Sequence, residues 1–328
     1  MFSIMPGLLQ DLRKLLENGR SRKQHLKLIK WLQKRQLLKR KMKCSKCRHK
    51  MSLKPRTMAR DHYAWMCQRA RHRSESIMKA IRFKSIFSHS KISLFEWMKF
   101  LYRFSQGLRL RQIDMIHDGI AGSSATLTNM AKKVRDVCVT AMERLRRRKG
   151  QRLGGQREFV VIDESHFRHK RKYGRGRIAG GWKRKKWVFG MLGVSHRGKT
   201  AGKPVLRLVE RRGRRDLVPL IVHHVRTGSA IISDEWRAYK RCLPHLGYRH
   251  FTVNHSVSYV DPRTGAHTQH IERAWRTYKE QVWRLRGNRS EGLLKDHLTV
   301  IEWNEWLAKN HKYGALGRLL HDIARQYK

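Results

Sequence analysis

The chain has 328 residues, of which 76 are Lys or Arg and 24 are Asp or Glu, so its formal net charge is +52. This length suffices for about two domains, and the 10 Trp, 10 Phe and 9 Tyr indicate folded units. A membrane protein, a secreted disulfide scaffold and an enzyme of small acidic metabolites are poor interpretations, because no apolar run approaches a membrane span and the charge is so one-sided. A nucleic acid is the partner that this composition favours.

The first 43 residues are densely basic and carry apolar residues at helical spacing, among them Leu28, Ile29 and Leu32. We predict a basic helical N-terminal segment whose solvated face can lie on phosphates. An amphipathic targeting leader has a similar composition and is the alternative for this segment.

Three of the five cysteines lie close together in the first part of the chain, and clustered thiols in such a protein indicate metal ligands before disulfides. Cys44 and Cys47 form one knuckle, and Cys67 with His72 forms a second. Three thiolates and one imidazole close a tetrahedral structural zinc site without an open position for catalysis. Two other nearby histidines are within reach, and a chance CxxC is the alternative. The spacing favours His72, and we predict a zinc-ribbon-like domain over residues 44–91.

Residues 92–150 are predicted to form a helical, DNA-binding region. Apolar residues cluster as in a helix from Leu94 onward, a glycine-containing turn follows at Gly119, and Ser124 is suited to begin a second helix. This order is typical of a helix-turn-helix, although any helical hairpin produces it. The basic stretch from Arg144 into the glycines that follow is predicted to be a linker.

The remaining region, residues 158–328, has the pattern of an α/β domain. It is predicted to contain three strands, a helix, a strand, a short helix, a strand and a long helix. These segments are 159–162, 187–194, 205–209, 216–225, 230–232, 236–243, 248–253 and 267–286. Their order predicts a mixed five-stranded sheet, antiparallel first and parallel later, covered by helices.

Acidic residues are scarce in this region, yet Asp-Glu pairs that begin at Asp163 and Asp234 end two apolar strands. A carboxylate beside a core is costly unless it is paired, protonated or metal-bound. Glu272 flanks the core-facing stripe of the long helix, and Lys279 follows nearly two turns later on the same side. We predict that Asp163, Asp234 and Glu272 converge on two Mg²⁺ or Mn²⁺ ions and that Lys279 meets DNA phosphate. Helix caps and an ordinary solvated helix face are the alternatives.

A second local pattern, His267-x2-His270-x-Glu272, has the spacing of a zinc triad on one helix face. The neighbouring glycine, threonine and glutamine are typical of a helix start, so capping and DNA contacts are the preferred roles of these histidines. Asn254 and His255 are expected near the site, without an assigned role.

A glycine-containing basic segment lies between the first two predicted strands, next to Asp163. Its ten Lys or Arg residues alternate with Tyr173, Trp182 and four glycines, as in a loop that follows phosphates in a salt-dependent manner. The predicted DNA contacts are Arg168, Lys170, Arg171, Lys172, Arg175, Lys183, Arg184, Lys185 and Lys186. A solvated loop or a nuclear-import signal at residues 183–186 is the milder interpretation, and these roles are compatible.

Several segments of the chain resemble a known family. They are Val161-Ile-Asp-Glu164, Ile232-Ser-Asp-Glu-Trp-Arg-Ala-Tyr239, the Tyr248 and His250 pair, Val253-Asn-His-Ser256 and the segment from Tyr259 to Trp275. They resemble DDE transposases of the Merlin superfamily and related bacterial insertion-sequence transposases, whose catalytic region is the ISXO2-like domain. The family's three acids fall on Asp163, Asp234 and Glu272, and its usual fourth zinc cysteine falls on His72. Lys84 stands where the family has a glycine.

The resemblance implies an RNase H-like catalytic fold, preceded by a zinc ribbon and a helix-turn-helix that bind terminal inverted repeats. It also implies cut-and-paste transposition, in which phosphodiesters at the transposon ends are hydrolysed and the freed 3′-hydroxyl is joined to target DNA. At least a homodimer is expected because two ends must be paired. The expected location is the nucleus of a eukaryote or the nucleoid of a bacterium. A catalytically idle, transposase-derived DNA-binding protein and an RNA-binding structural protein are the alternatives.

Overall fold

The computed structural model describes residues 6–17, 21–69, 72, 77–107, 112–167, 186–196, 202–253, 267–283 and 290–327. The chain divides into two units. Unit 1 comprises Met1–Val137 together with Asn310–Lys328, and unit 2 comprises Cys138–Lys309.

The helices and strands are numbered in chain order. The helices are α1 (Pro6–Glu17), α2 (Arg22–Lys34), α3 (Leu94–Ser105), α4 (Gln112–His117), α5 (Ser124–Lys149), α6 (Arg214–His224), α7 (Arg237–Lys240), α8 (Cys242–His245), α9 (Gln269–Trp283), α10 (Glu291–Trp303) and α11 (Gly314–Gln326), and a π-helical segment (Asn304–Ala308) follows α10. The strands are β1 (Ser52–Pro55), β2 (Tyr63–Met66), β3 (Met78–Ala80), β4 (Glu158–Ser165), β5 (Trp187–Ser195), β6 (Lys203–Val209), β7 (Ala230–Asp234) and β8 (Arg249–Val253).

Unit 1 contains a small antiparallel sheet with the strand order β1-β2-β3. Helices α2 and α3 both begin at a serine, Ser21 and Ser93, whose side chain accepts a hydrogen bond from a backbone amide of the first turn. The apolar faces of both helices are buried. A buried ion pair between Arg82 and Asp61 holds the chain that follows β3, because Arg82 also donates to two backbone carbonyls there.

The region of the predicted helix-turn-helix contains α4, a turn and α5. Gly119 lies in the turn with a φ of 64°, a left-handed conformation that glycine adopts without steric cost. The side chain of Ser123 accepts a hydrogen bond from the Thr126 amide at 3.3 Å and so caps α5. DNA binding by this region stays a prediction.

The predicted linker is wrong over its first part, because α5 continues to Lys149. Arg and Lys are good helix formers, and these last turns are also anchored. Within unit 2, the guanidinium of Arg146 donates to the carboxylate of Glu302 at 2.6 Å. Glu302 is fully buried and also accepts a hydrogen bond from Arg207 at 2.7 Å. A buried carboxylate without these partners would be costly, so the ion pairs keep the helix end in place.

Unit 2 is built on a mixed five-stranded sheet with the order β6-β5-β4-β7-β8. The pairs β4–β5 and β5–β6 are antiparallel, whereas β4–β7 and β7–β8 are parallel. This result confirms the sheet predicted from the sequence. Alternate residues of β4 face opposite sides: Val160 and Ile162 pack in the core that includes residues of α6, and Val161 packs in the core under α9 and α10. The strand is therefore apolar on both faces.

Two long helices were missing from the sequence-based prediction. Ser290 caps α10, which begins at Glu291 and buries Leu294, Leu298 and Ile301 against the sheet. α11 buries Leu316, Leu319, Leu320 and Ile323, which is the spacing of a helical stripe and was a readable signal. α11 belongs to unit 1, whereas the predicted catalytic domain extended to residue 328. The domain boundaries otherwise stay predictions.

Candidate active site

Two acidic residues lie at the same edge of the sheet in unit 2. β4 and β7 are parallel neighbours in which Val161 lies opposite Ile232. Asp163 and Asp234 each lie two residues further along their strands, so they occupy equivalent positions. Because parallel strands present their carboxyl ends at one edge, the two side chains lie where an open sheet gathers ligands.

Asp163 is held by two hydrogen bonds. Its Oδ2 accepts from the indole Nε1 of Trp275 at 2.8 Å, and its Oδ1 accepts from the amide of Glu164 at 2.8 Å. Burial raises the pKa of Asp163 to about 6 against these hydrogen bonds, and the negative charges of Asp234 and Glu272 contribute to the increase. The charges of Asp234 and Glu272 therefore act on Asp163, but among the described residues the three acids do not form a cluster of metal-binding atoms.

Helix α9 supplies the third acid. Ile271, Trp275, Tyr278 and Val282 form its buried stripe. Glu272 is exposed beside this stripe and accepts a hydrogen bond from the Thr268 hydroxyl at 2.8 Å. The helix approaches the sheet closely because a glycine, Gly190, lies beneath the Trp275 ring. These features place Glu272 next to the strand edge that carries Asp163.

Two of the predicted DNA-contacting lysines are described. Burial lowers the pKa of Lys279, and the charge of Asp163 opposes this change, so Lys279 lies near Asp163. Lys186 instead forms ion pairs with Glu210 at 3.3 Å and Glu291 at 2.9 Å. The other predicted contacts, together with Asn254 and His255, lie outside the described residues; these contacts are Arg168, Lys170, Arg171, Lys172, Arg175, Lys183, Arg184 and Lys185.

The structure does not group the histidines of α9 and its N-terminus into a metal site. The rings of His267 and His270 stack with their centroids 4.7 Å apart. Burial lowers the pKa of His270, and the charges of His267 and Arg273 add to this effect. Among the described residues, these two histidines and Glu272 do not form a cluster of metal-binding atoms. The alternative of a zinc triad is therefore not supported.

Glu164 is a buried acid next to the predicted site that the sequence analysis left without a role. It accepts a hydrogen bond from the hydroxyl of Tyr239 at 2.5 Å, and its other oxygen lies 3.7 Å from Nη1 of Arg212. Burial raises its pKa to about 7, and the charges of Asp163 and Asp234 contribute to the increase. In the sequence, the Asp-Glu pair at the end of β4 was the signal that could have pointed to Glu164. Its partners are distant in sequence and were not predictable.

A cluster of three cysteines and one histidine lies in unit 1. The ligand atoms of Cys44, Cys47, Cys67 and His72 all lie within 4.8 Å of one another, and among the described residues this is the one such group of three or more. Of the three histidines within reach by sequence, the structure therefore brings His72 to the thiols. This Cys3His cluster is compatible with a zinc ribbon.

The thiols of the cluster differ in their tendency to ionise. Despite burial, hydrogen bonds from the His49 backbone and the Cys44 side chain lower the pKa of Cys47 to about 6, which favours the thiolate. The pKa of Cys67 is raised: a hydrogen bond from the backbone of Arg69 lowers it, but burial and the neighbouring thiols outweigh that effect. Among the described residues, the buried Nε2 of His72 has no hydrogen-bond partner, as expected of a nitrogen available to a metal.

A second feature of unit 1 was not predicted from the sequence. Phe83 is 40% exposed, and the ammonium groups of Lys39, Lys79 and Lys84 lie 5.8, 5.4 and 5.7 Å from its ring centroid. We call these four residues the Phe83 patch. Lys84 has a φ of 54°, so the backbone keeps the left-handed turn that the family's glycine would allow. Three cations around one exposed ring form a local positive surface.

The sequence of this region matches a known protein family. Residues 151–285 match the family model of the ISXO2-like transposase domain. This segment of the chain is therefore similar to the ISXO2-like transposase domain. The matched segment contains the two strand ends of Asp163 and Asp234 and the helix of Glu272 and Lys279. No curated protein matches the chain. No helix in the described parts of the chain is long and apolar enough to cross a membrane.

Proposed function

We propose that the protein is a DDE DNA transposase of the Merlin type, with Asp163, Asp234 and Glu272 as its catalytic acids. It would bind terminal inverted repeats, hydrolyse phosphodiesters at the transposon ends and join the 3′-hydroxyl to target DNA. The observation that carries this proposal is that Asp163 and Asp234 occupy equivalent positions at the ends of adjacent parallel strands, within the segment that matches the ISXO2-like transposase domain.

The sheet supports an RNase H-like fold for unit 2. Three antiparallel strands are followed along the chain by two parallel ones, and the first strand, β4, lies in the middle. This order puts the first and second acids on adjacent parallel strands. The third acid, Glu272, then comes from a later helix that packs across the sheet, as α9 does.

The donor set fits hard divalent cations. Carboxylate oxygens are the ligands that Mg²⁺ and Mn²⁺ prefer. Burial raises the pKa of Asp163 to about 6, and the negative charges of Asp234 and Glu272 contribute, so nearby cations would stabilise its ionised form. We propose that Asp163, Asp234 and Glu272 hold two such ions. When bound, the ions supply Lewis-acid activation and charge neutralisation in phosphoryl transfer.

The remaining residues would position DNA. Lys279 lies beside Asp163 and presents a cation for a phosphate group near the acids. The Phe83 patch and the net charge of +52 suit a polyanionic duplex. We propose that zinc at the Cys3His cluster stabilises the fold of the ribbon, which with the helix-turn-helix region would recognise the ends. We also propose that the protein acts as a homodimer or larger assembly on DNA.

The test compares two neighbouring acids at the end of β7. Asp234→Asn keeps the side-chain shape but removes the charge, whereas Glu235→Gln makes the same change at an exposed position. Purified protein is incubated with DNA that carries the element's own ends, in Mg²⁺ or Mn²⁺, and strand cleavage and joining are measured on gels. We expect Asp234→Asn to lose at least about 1000-fold in rate and Glu235→Gln to keep most activity.

Three other outcomes of these measurements would contradict the proposal. Unchanged metal-dependent cleavage by Asp234→Asn refutes the catalytic assignment. If the wild type binds the ends tightly but neither cleaves nor joins them in either metal, the protein is a DNA-binding protein without catalysis. If it binds structured RNA more tightly than end DNA at equal ionic strength, the RNA-binding alternative replaces the proposal.

A further inference from the structure

Two tryptophans and one arginine form a stack beside the candidate active site. The guanidinium carbon of Arg212 lies 4.2 Å from the ring centroid of Trp187 and 4.3 Å from that of Trp236. The indole Nε1 of Trp236 also donates a hydrogen bond to the carbonyl oxygen of Arg212 at 3.0 Å. We call these three residues the Trp–Arg–Trp stack.

The stack is fixed to the acids on both strands of the site. Nη1 of Arg212 lies 3.7 Å from the buried carboxylate of Glu164, the residue that follows Asp163. The backbone amide of Trp236 donates to Oδ1 of Asp234 at 3.1 Å. Since both ends of the stack are anchored, the Trp236 ring is held in one orientation before any ligand arrives, and little conformational entropy is lost on binding.

Trp236 is nevertheless exposed. Its exposed fraction is 37%, and among the Phe, Tyr and Trp side chains whose burial is described in unit 2 it is the one that is exposed. Exposing the largest apolar side chain is unfavourable unless the ring has a partner. The ring already contacts a cation and carries a hydrogen bond, so what remains open to solvent is apolar ring surface.

The chemistry of this surface identifies the ligand class. A rigid, electron-rich ring next to a guanidinium is suited to stack on a flat heteroaromatic ring in a cationic environment. The bases of DNA have such rings, but both faces of a base are covered inside an intact duplex. We propose that Trp236 stacks on a nucleobase that has left the DNA helix next to the phosphate undergoing reaction. This inference rests on the proposed function and adds that the DNA is locally unpaired in the active site.

The first experiment requires no cleavage. Affinities for a 12-nucleotide single strand and for the same strand without bases are measured by fluorescence anisotropy in Ca²⁺, for the wild type and Trp236→Ala. We expect the wild type to prefer the strand with bases, and Trp236→Ala to lose about 10-fold in affinity for that strand alone. Trp236→Phe keeps an aromatic face and should restore most of the difference. Leu246→Ala removes an equally exposed apolar side chain of unit 2 and should change nothing.

A second experiment locates the base. Duplex end DNA carries one abasic position at a time around the cleavage site, and binding is again measured in Ca²⁺. At one position the wild type and Trp236→Ala should bind equally well, because the stacking partner is missing, while the loss persists at every other position.

Three results would overturn the inference. The first is that Trp236→Ala discriminates strands with and without bases as the wild type does. The second is that no abasic position removes the effect of the substitution. The third is that Trp236→Ala alters only the oligomeric mass in light scattering, which would make the ring part of a contact between copies. If the wild type fails to cleave end DNA, the proposed function fails, but the single-strand comparison still decides whether Trp236 stacks on bases.

Discussion

The close approach of α9 to the sheet leads to a sharp prediction at Gly190. A Cβ atom at this position would lie 2.5 Å from Cζ2 and Cη2 of Trp275 and 3.5 Å from Ile271. Ordinary carbon contacts are about 3.5–4.0 Å, so Gly190→Ala must displace the ring by about 1 Å or more. Overpacking of this kind costs about 1–3 kcal/mol of unfolding free energy. For a unit of this size the cost corresponds to a decrease in Tm of about 2–12 °C.

The same displacement should impair catalysis. Trp275 donates the hydrogen bond to Asp163, and its helix carries Glu272, so a shift of about 1 Å misplaces two of the three acids. Differential scanning calorimetry measures the stability, and the end-cleavage assay measures the activity. The control is Gly292→Ala, because a Cβ there meets nothing within 4 Å and the backbone is helical. We expect this control to unfold at the same temperature as the wild type or slightly higher.

A double variant separates packing from chemistry. A phenylalanine at position 275 lacks the two ring atoms that would clash, so Trp275→Phe should recover at least about 1 kcal/mol of the stability lost in Gly190→Ala. The double variant should remain poor in cleavage, because phenylalanine has no N–H to donate to Asp163. If the two substitutions are additive in stability, or if Gly190→Ala melts and cleaves like the wild type, the close contact does not exist and the reasoning fails.

Three further predictions concern other parts of the chain. Cys47→Ser should reduce the bound zinc from about one ion per chain to a small fraction and unfold the small sheet, because a structural zinc supplies much of the folding free energy of such a module. Atomic absorption measures the zinc content and circular dichroism measures the folding. An unchanged zinc content would contradict the prediction. Burial and a neighbouring arginine lower the pKa of His224 to about 4, below its unfolded value. As the pH is lowered from about 6.5 to 4, the unfolded chain binds a proton that the folded chain does not, so the unfolding free energy should fall by at most about 1.4 kcal/mol per pH unit. Chemical denaturation should show that His224→Asn removes this slope and that the same change at the exposed His223 does not. Lys84→Gly should weaken DNA binding and reduce the dependence of log affinity on log salt concentration by about 1. It should also stabilise unit 1 by about 1 kcal/mol, because glycine accepts the left-handed backbone. If filter binding shows unchanged affinity, the Phe83 patch is not part of the DNA interface.

Much of unit 2 follows from local sequence pattern. Short apolar runs mark the strands, two of them end in Asp-Glu pairs, and the helical stripe of α9 determines which side Glu272 and Lys279 occupy. These signals are readable because burial imposes a period of two on strands and about 3.6 on helices, whatever the rest of the chain does. The mixed sheet was predicted for this reason, and so was the placing of Asp163 and Asp234 at one edge.

Charged residues gave a less reliable signal. The basic stretch from Arg144 was predicted to be a linker because its composition is polar, but the structure continues the helix and pairs Arg146 with a buried glutamate. The composition of a segment indicates how well it is solvated on average, but a single buried partner far along the chain can hold such a segment in a helix. The spacing of the thiols was a better signal, because it favoured His72 over two other histidines and the folded chain brings His72 to the three cysteines.

The sequence by itself determined the charge, the strand and helix periods, the three thiols and the three acids of this protein. Only the tertiary structure decided which side chains meet: Glu164 with Tyr239, Arg212 with two tryptophans, and Trp275 with Asp163. These partners are tens of residues apart, and no local period relates them. Their contacts depend on how α9 and the chain after β6 and β7 pack against β4, which is set by the summed burial of the whole unit.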